Sequence, residues 1–84
     1  MPITGGPMIA EHERIVLTTD LPPEGLQAGD VGTIVHVYAD GQGYEVEFVT
    51  LQGRTAAVVT LDADQIRPVA PHEIAHARDL SRAA

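Results

Sequence analysis

Two segments with a period of two, joined by a short glycine-bearing connection, limit what this chain can become. Asp30 to Tyr38 (DVGTIVHVY) sets Val31, Thr33, Val35 and Val37 on one side and Gly32, Ile34, His36 and Tyr38 on the other. Gly43 to Leu51 (GYEVEFVTL) turns Tyr44, Val46 and Phe48 inward and Glu45 and Glu47 outward. Between them, Asp40-Gly41-Gln42-Gly43 has the composition of a hairpin connection. The side-chain period is that of strands, so the middle of the chain is an antiparallel pair.

The flanking segments extend that pair into a sheet. Glu13 to Thr18 (ERIVLT) is apolar and β-branched, a first short strand. Asp20 to Asp30 holds Pro22, Pro23, Gly25 and Gly29 and reads as an ordered loop, because proline cannot donate to a ladder and glycine permits turns. After the Gln52-Gly53 turn, Arg54 to Leu61 (RTAAVVTL) is a further strand with Thr55, Ala57, Val59 and Leu61 as its inward set. Asp62 to Gln65 suits one 3₁₀ turn, and Ile66 to Val69 closes as a last strand with Pro68 marking an edge. The expectation is an all-β domain of five short strands in the order of a small SH3-like barrel. An open five-stranded meander completed by a second copy is the alternative architecture.

Residues 1–11, with Pro2, Gly5, Gly6 and Pro7, read as a flexible leader, residues 12–70 as the barrel, and residues 71–84 as a tail. Pro71 suits a first helical position, and His72 to Leu80 has residues for about two turns of helix, short enough to be marginal without docking. The tail is therefore either a short docked helix or disordered.

Composition narrows the partners. The net charge is −7, from 12 acidic residues against five arginines and no lysine. Nucleic-acid binding gains affinity with each phosphate neutralised, and this chain is poorly equipped for it. The same charge suits a basic protein partner, or simply keeps a small protein in solution. With 84 residues and no cysteine, neither disulfides nor thiolate metal sites support the small core, which makes a homo-oligomer or a docked partner an expectation. No apolar run approaches the roughly 20 residues that span a bilayer, and residues 1–10 lack the charge and apolar stretch of a signal peptide. A cytoplasmic protein without membrane contact is expected.

Gly29-Asp-Val-Gly-Thr-Ile-Val35 resembles the strand-opening signature of many SH3-like barrels, including KOW-type domains and the nitrile hydratase β-subunit. That segment joins Asp20-Leu-Pro, Gly25-Leu-x-Ala-Gly-Asp-Val-Gly-Thr33, Tyr44-Glu-Val-Glu-Phe48 and Arg67-Pro-Val69. In that order they resemble a small bacterial family, domain of unknown function 4926. The resemblance implies a standalone SH3-like domain and carries over no catalytic residues. In the signature, Gly29-Asp30 makes a turn and Gly32 lets the strand bend while pairing.

Several constellations bear on function. His72-Glu73-Ile74-Ala75-His76 matches the zincin pattern, in which two histidines one helical turn apart share zinc and the glutamate is the general base. A third ligand at metzincin spacing is missing, so His72 and His76 are weak metal candidates, with His12 or His36 as occasional helpers. Against this stands an ordinary polar turn at a terminus. His36 is either a half-exposed strand residue or a pH-sensitive interface group. Tyr38 and Tyr44 flank the hairpin and are expected to face each other across it; one phenylalanine, two tyrosines and no tryptophan are too few for a proline-peptide groove. Glu45, Glu47, Asp62 and Asp64 form an acidic set, either solvated or a docking surface. Glu45, Glu47, Tyr38 and Tyr44 are the partner-binding candidates. No catalytic residue or cofactor is assigned. The leading reading is a non-catalytic interaction module for a protein partner. A small zinc-dependent hydrolase and a KOW-like RNA-associated domain are the alternatives.

Overall fold

The computed structural model describes residues 9–82. Within them the chain is all-β: β1 (Arg14–Leu17), β2 (Val31–Tyr38), β3 (Gly43–Val49), β4 (Thr55–Leu61) and β5 (Ile66–Pro68) form one antiparallel sheet in the order β4-β3-β2-β1-β5. This is the strand order of an SH3-like barrel. The sheet curls over its core without β4–β5 pairing, so both remain edge strands. A single 3₁₀ turn, Ala63–Gln65, links them as expected. There Gln65 accepts from the Asp62 amide at 2.8 Å.

The inward face buries Ile15, Leu17, Leu26, Ile34, Tyr44, Val46, Phe48, Leu61 and Ile66. No polar or charged side chain among the described residues is buried with them. Leu26 arrives from the Asp20–Asp30 loop, which is ordered by a Leu21–Leu26 bridge and a 3₁₀ turn at Pro22–Glu24. Asp20 accepts the Ala28 amide and Asp30 accepts the Gln27 amide, both at 2.9 Å.

Two bulges revise the simple alternation. In β2, Ile34 opposes Val46 and His36 opposes Glu45, so Val35 is an extra residue. Beyond it the faces are reset: Val37 packs on the core, while His36 and Tyr38 point outward. In β4, Phe48 opposes Ala57 and Val49 opposes Thr55, which makes Ala56 the extra residue. Ala57, Val59 and Leu61 face inward as expected, but Thr55 is exposed and reaches the outer face.

Both glycines of the signature are explained. Gly29 has φ +100°, a conformation other residues rarely adopt, and it makes the turn into β2. Gly32 serves close packing rather than bending: a Cβ there would lie 2.6 Å from Val46 Cγ1 and 2.9 Å from Phe48 Cε2. The irregularity in β2 falls at Val35 instead.

The ends differ from expectation. Of the expected leader, residues 1–8 lie outside the described residues, but Ile9 already packs against the core. His12, at φ 74°, donates its amide to Ile34 O at 2.7 Å. Among the described residues the tail forms no α-helix. Residues 71–79 run as irregular chain, followed by a 3₁₀ turn at Leu80–Arg82.

Candidate interaction surface

The outer face of β2, β3 and β4 brings together Glu45, Glu47 and Tyr38, three of the four partner-binding candidates, with His36 beside them. Glu45 sits between His36 on β2 and Thr60 on β4, and Glu47 between Thr33 and Val58. Both carboxylates are held from the side. Tyr38 Oη donates to Glu45 Oε1 at 3.1 Å and Thr60 Oγ1 donates to the same oxygen at 2.6 Å. Thr55 Oγ1 donates to Glu47 Oε2 at 2.6 Å, a contact that depends on the β4 bulge. Glu45 Oε2 and Glu47 Oε1 have no hydrogen-bond partner among the described residues, and no cation pairs with either side chain.

Tyr38 is itself set by this network. The bond to Glu45, with some burial and the charge of the same carboxylate, raises its pKa above the usual 10.0. Its ring meets His36 edge-on, centroids 4.5 Å apart at 74°. His36 Nδ1 lies 3.7 Å from Glu11 Oε2, so it borders the acidic face with a carboxylate on its far side. The bulge brings Tyr38 and His36 to this face.

Tyr44 is not part of it. It is only 5% exposed and lies in the core opposite Val37, while Tyr38 opposes Gly43. The two tyrosines therefore point to opposite sides of the sheet and do not face each other. Of the four partner-binding candidates, three share the outer face and Tyr44 supports it from beneath.

The zincin-like segment is organised differently from a metal site. Without a helix, His72 and His76 lose the one-turn spacing that would bring them together. Glu73 is engaged elsewhere: Arg67 Nη1 and Nη2 donate to its two oxygens at 3.0 and 2.5 Å, and the Ala70 amide donates at 2.6 Å. The Arg67 bonds, then the Ala70 amide, hold its pKa down to about 2. A carboxylate so held is a poor base. Among the described residues no group of three or more His, Asp or Glu side chains is placed to hold a metal ion.

Sequence reading missed a second tie of the tail. Arg78 donates through Nε to Asp30 Oδ1 at 2.9 Å, through Nη2 to Asp30 Oδ2 at 2.5 Å, and to Gly25 O at 3.1 Å. The pair is about three-quarters or more removed from solvent, with side chains 24% and 17% exposed. Nothing in the local sequence of either residue signals a contact across 48 positions. The tail so anchored borders an open groove of about 1070 Å³ whose lining includes Val31, Val49, Leu51 and Ile74, all exposed apolar residues.

The fold and this face define a small acidic β-sheet domain whose chemistry is concentrated on one sheet surface. The chain belongs to the family described as domain of unknown function DUF4926, which matches residues 11–68, from just before β1 to the end of β5. No curated protein and no solved structure matches it. Among the described residues no helix is long and apolar enough to cross a membrane.

Proposed function

We propose that this chain is a non-catalytic accessory module of the bacterial cytoplasm that docks on a basic segment of a protein partner through Glu45, Glu47 and Tyr38. The carrying observation is the pair of open carboxylate oxygens, Glu45 Oε2 and Glu47 Oε1, on side chains fixed by Tyr38, Thr60 and Thr55. Ordering a carboxylate before binding removes part of the entropic cost of association. Carboxylates with a free oxygen accept arginine or lysine donors, and the net charge of −7 steers such a partner in. Phosphate backbones would be repelled by the same face, which favours a protein partner over the RNA-associated reading.

The test is retention of proteins from a native lysate on immobilised wild-type chain and on the Glu45→Gln/Glu47→Gln variant, at low and high salt. One basic protein should be retained by the wild type at low salt and lose about tenfold or more of its affinity for the variant, a change of about 1.4 kcal/mol. Equal retention on both baits would overturn the assignment to this face.

A further inference from the structure

The outer face continues past Glu47 into the groove beside the tail. Thr33 lies opposite Glu47, and two residues further in the same direction Val31 on β2 and Val49 on β3 carry the same outward side. Both line the groove, with Leu51 from the β3–β4 turn and Ile74 from the tail, and all four are between 47% and 91% exposed. Neighbouring apolar side chains left open and rimmed by polar groups mark a contact surface. The groove, of about 1070 Å³, reaches the upper end of the roughly 300–1,000 Å³ of small-molecule pockets and is open, so it suits an extended segment.

Charge says what kind of segment. Of the arginines and aspartates lining the groove, Asp30 and Arg78 are paired with each other, and Asp79 accepts from the Ser81 amide and hydroxyl. The Arg54 side chain has no hydrogen-bond or ion-pair partner among the described residues. Its place in the ladder is fixed. Glu47 opposes Val58, Val49 opposes Thr55, and Thr50 takes the carbonyl of Arg54, so Arg54 stands beyond Val49 on the side away from Glu47. Along β3 the surface therefore reads acid at Glu45, acid at Glu47, apolar at Val49 and base at Arg54.

We infer that the groove takes an apolar side chain of the same segment that docks on Glu45 and Glu47, with an acidic side chain of that segment reaching Arg54. The inference rests on the docking reading above and names the partner chemistry more closely. Glu45, Glu47 and Val49 are successive outward residues of β3, about 7 Å apart. Alternate residues of an extended segment have the same spacing, so one segment lying along β3 meets all of them. Its pattern, read along β3, is cation-x-cation-x-apolar-x-acid. A purely basic run would set a cation against Arg54 and leave both valines uncovered.

The probe is the peptide Arg-Ser-Arg-Ser-Leu-Ser-Glu, blocked at both ends, titrated to about 5 mM into the isotope-labelled full chain and followed by amide NMR shifts. Amides of Val31, Val49 and Ile74 should move together with those of Glu45 and Glu47. Replacing the peptide leucine by serine should weaken binding about tenfold. Val31→Thr/Val49→Thr, which keeps the β-branched shape that strands favour, should weaken the leucine peptide and leave the serine peptide unchanged. Arg54→Gln should weaken the peptide about threefold or more and lose that effect when the peptide glutamate is glutamine. The amide spectrum of each variant checks that it is folded.

Two failures are distinguishable. Binding that falls with Glu45→Gln/Glu47→Gln but ignores the leucine, the valines and Arg54 overturns the groove inference and keeps the acidic face. Binding that follows the leucine and the valines but ignores Glu45→Gln/Glu47→Gln overturns the acidic-face reading. No shift at any peptide concentration overturns the inference outright.

Discussion

Gly32 shows how one missing side chain can organise a core. Val46 and Phe48 from β3 occupy the space its Cβ would need. Gly32→Ala should therefore force both neighbours to shift and destabilise the fold by about 1–3 kcal/mol. Urea unfolding checks this: the midpoint should fall with an unchanged slope, and Val46→Ala in the same chain should return part of the loss. An unchanged midpoint would mean that the core gives way freely. The glycine was legible as a strand-opening signature, but not its purpose, because the atoms it makes room for belong to residues 14 and 16 positions away on another strand. Glu45 and Glu47 were legible as outward residues from alternation alone. Their fixing by Thr55 and Thr60 was not, since that depends on which β4 residue lies opposite.

The elements follow the same division. All five strands stand where apolar alternation and turn residues put them, because a strand in a small sheet is specified by its own side-chain period. The tail is where local pattern misled. His72 to Leu80 has helical composition, yet in place of a helix too short to sustain itself the segment is tied down by two ion pairs, Arg67–Glu73 and Arg78–Asp30. The Arg67–Glu73 pair makes the tail sensitive to acid in one direction. Glu73 takes up its proton near pH 2 when docked and near its ordinary 4.5 when free. Docking through Glu73 is thus fully favoured above about pH 4.5 and is lost as pH falls toward 2. The Ala70 amide, which donates to Glu73, reports this: its exchange with solvent should be steady from pH 7 to 5, apart from the intrinsic pH dependence of exchange, and lose protection below about 4. Arg78→Ala should loosen residues 74–81 at every pH while leaving the Glu73 titration in place. Loss of Ala70 protection already at pH 6 would count against the Arg67–Glu73 tie.

For the whole molecule, charge and size set the terms. Twelve acidic residues face five arginines, of which Arg67 and Arg78 are already committed to Glu73 and Asp30. The remaining negative charge repels itself in the compact state. Raising sodium chloride from about 10 mM to 0.5 M should raise the melting temperature, because screening weakens that repulsion more than it weakens the partly buried Arg78–Asp30 pair. For a domain of this size each kcal/mol recovered appears as about 4–8 °C. A falling melting temperature would show the ion pairs to outweigh the repulsion. At this scale the strand order was legible, since short connections between successive strands leave few topologies. The Arg78–Asp30 tie and the groove beside it were not, because they join segments that share no periodicity.

Val35 counts in the chain but not in the ladder: β2 spends eight residues where seven would reach. Deleting it would leave Ile34 and Val37 toward the core and His36 and Tyr38 toward water, as they already are. Inserting one residue elsewhere in the strand would exchange those sides and send Tyr38 inward. Parity, more than length, is what β2 conserves, and it leaves this strand one address at which a codon can be lost without turning the surface inside out.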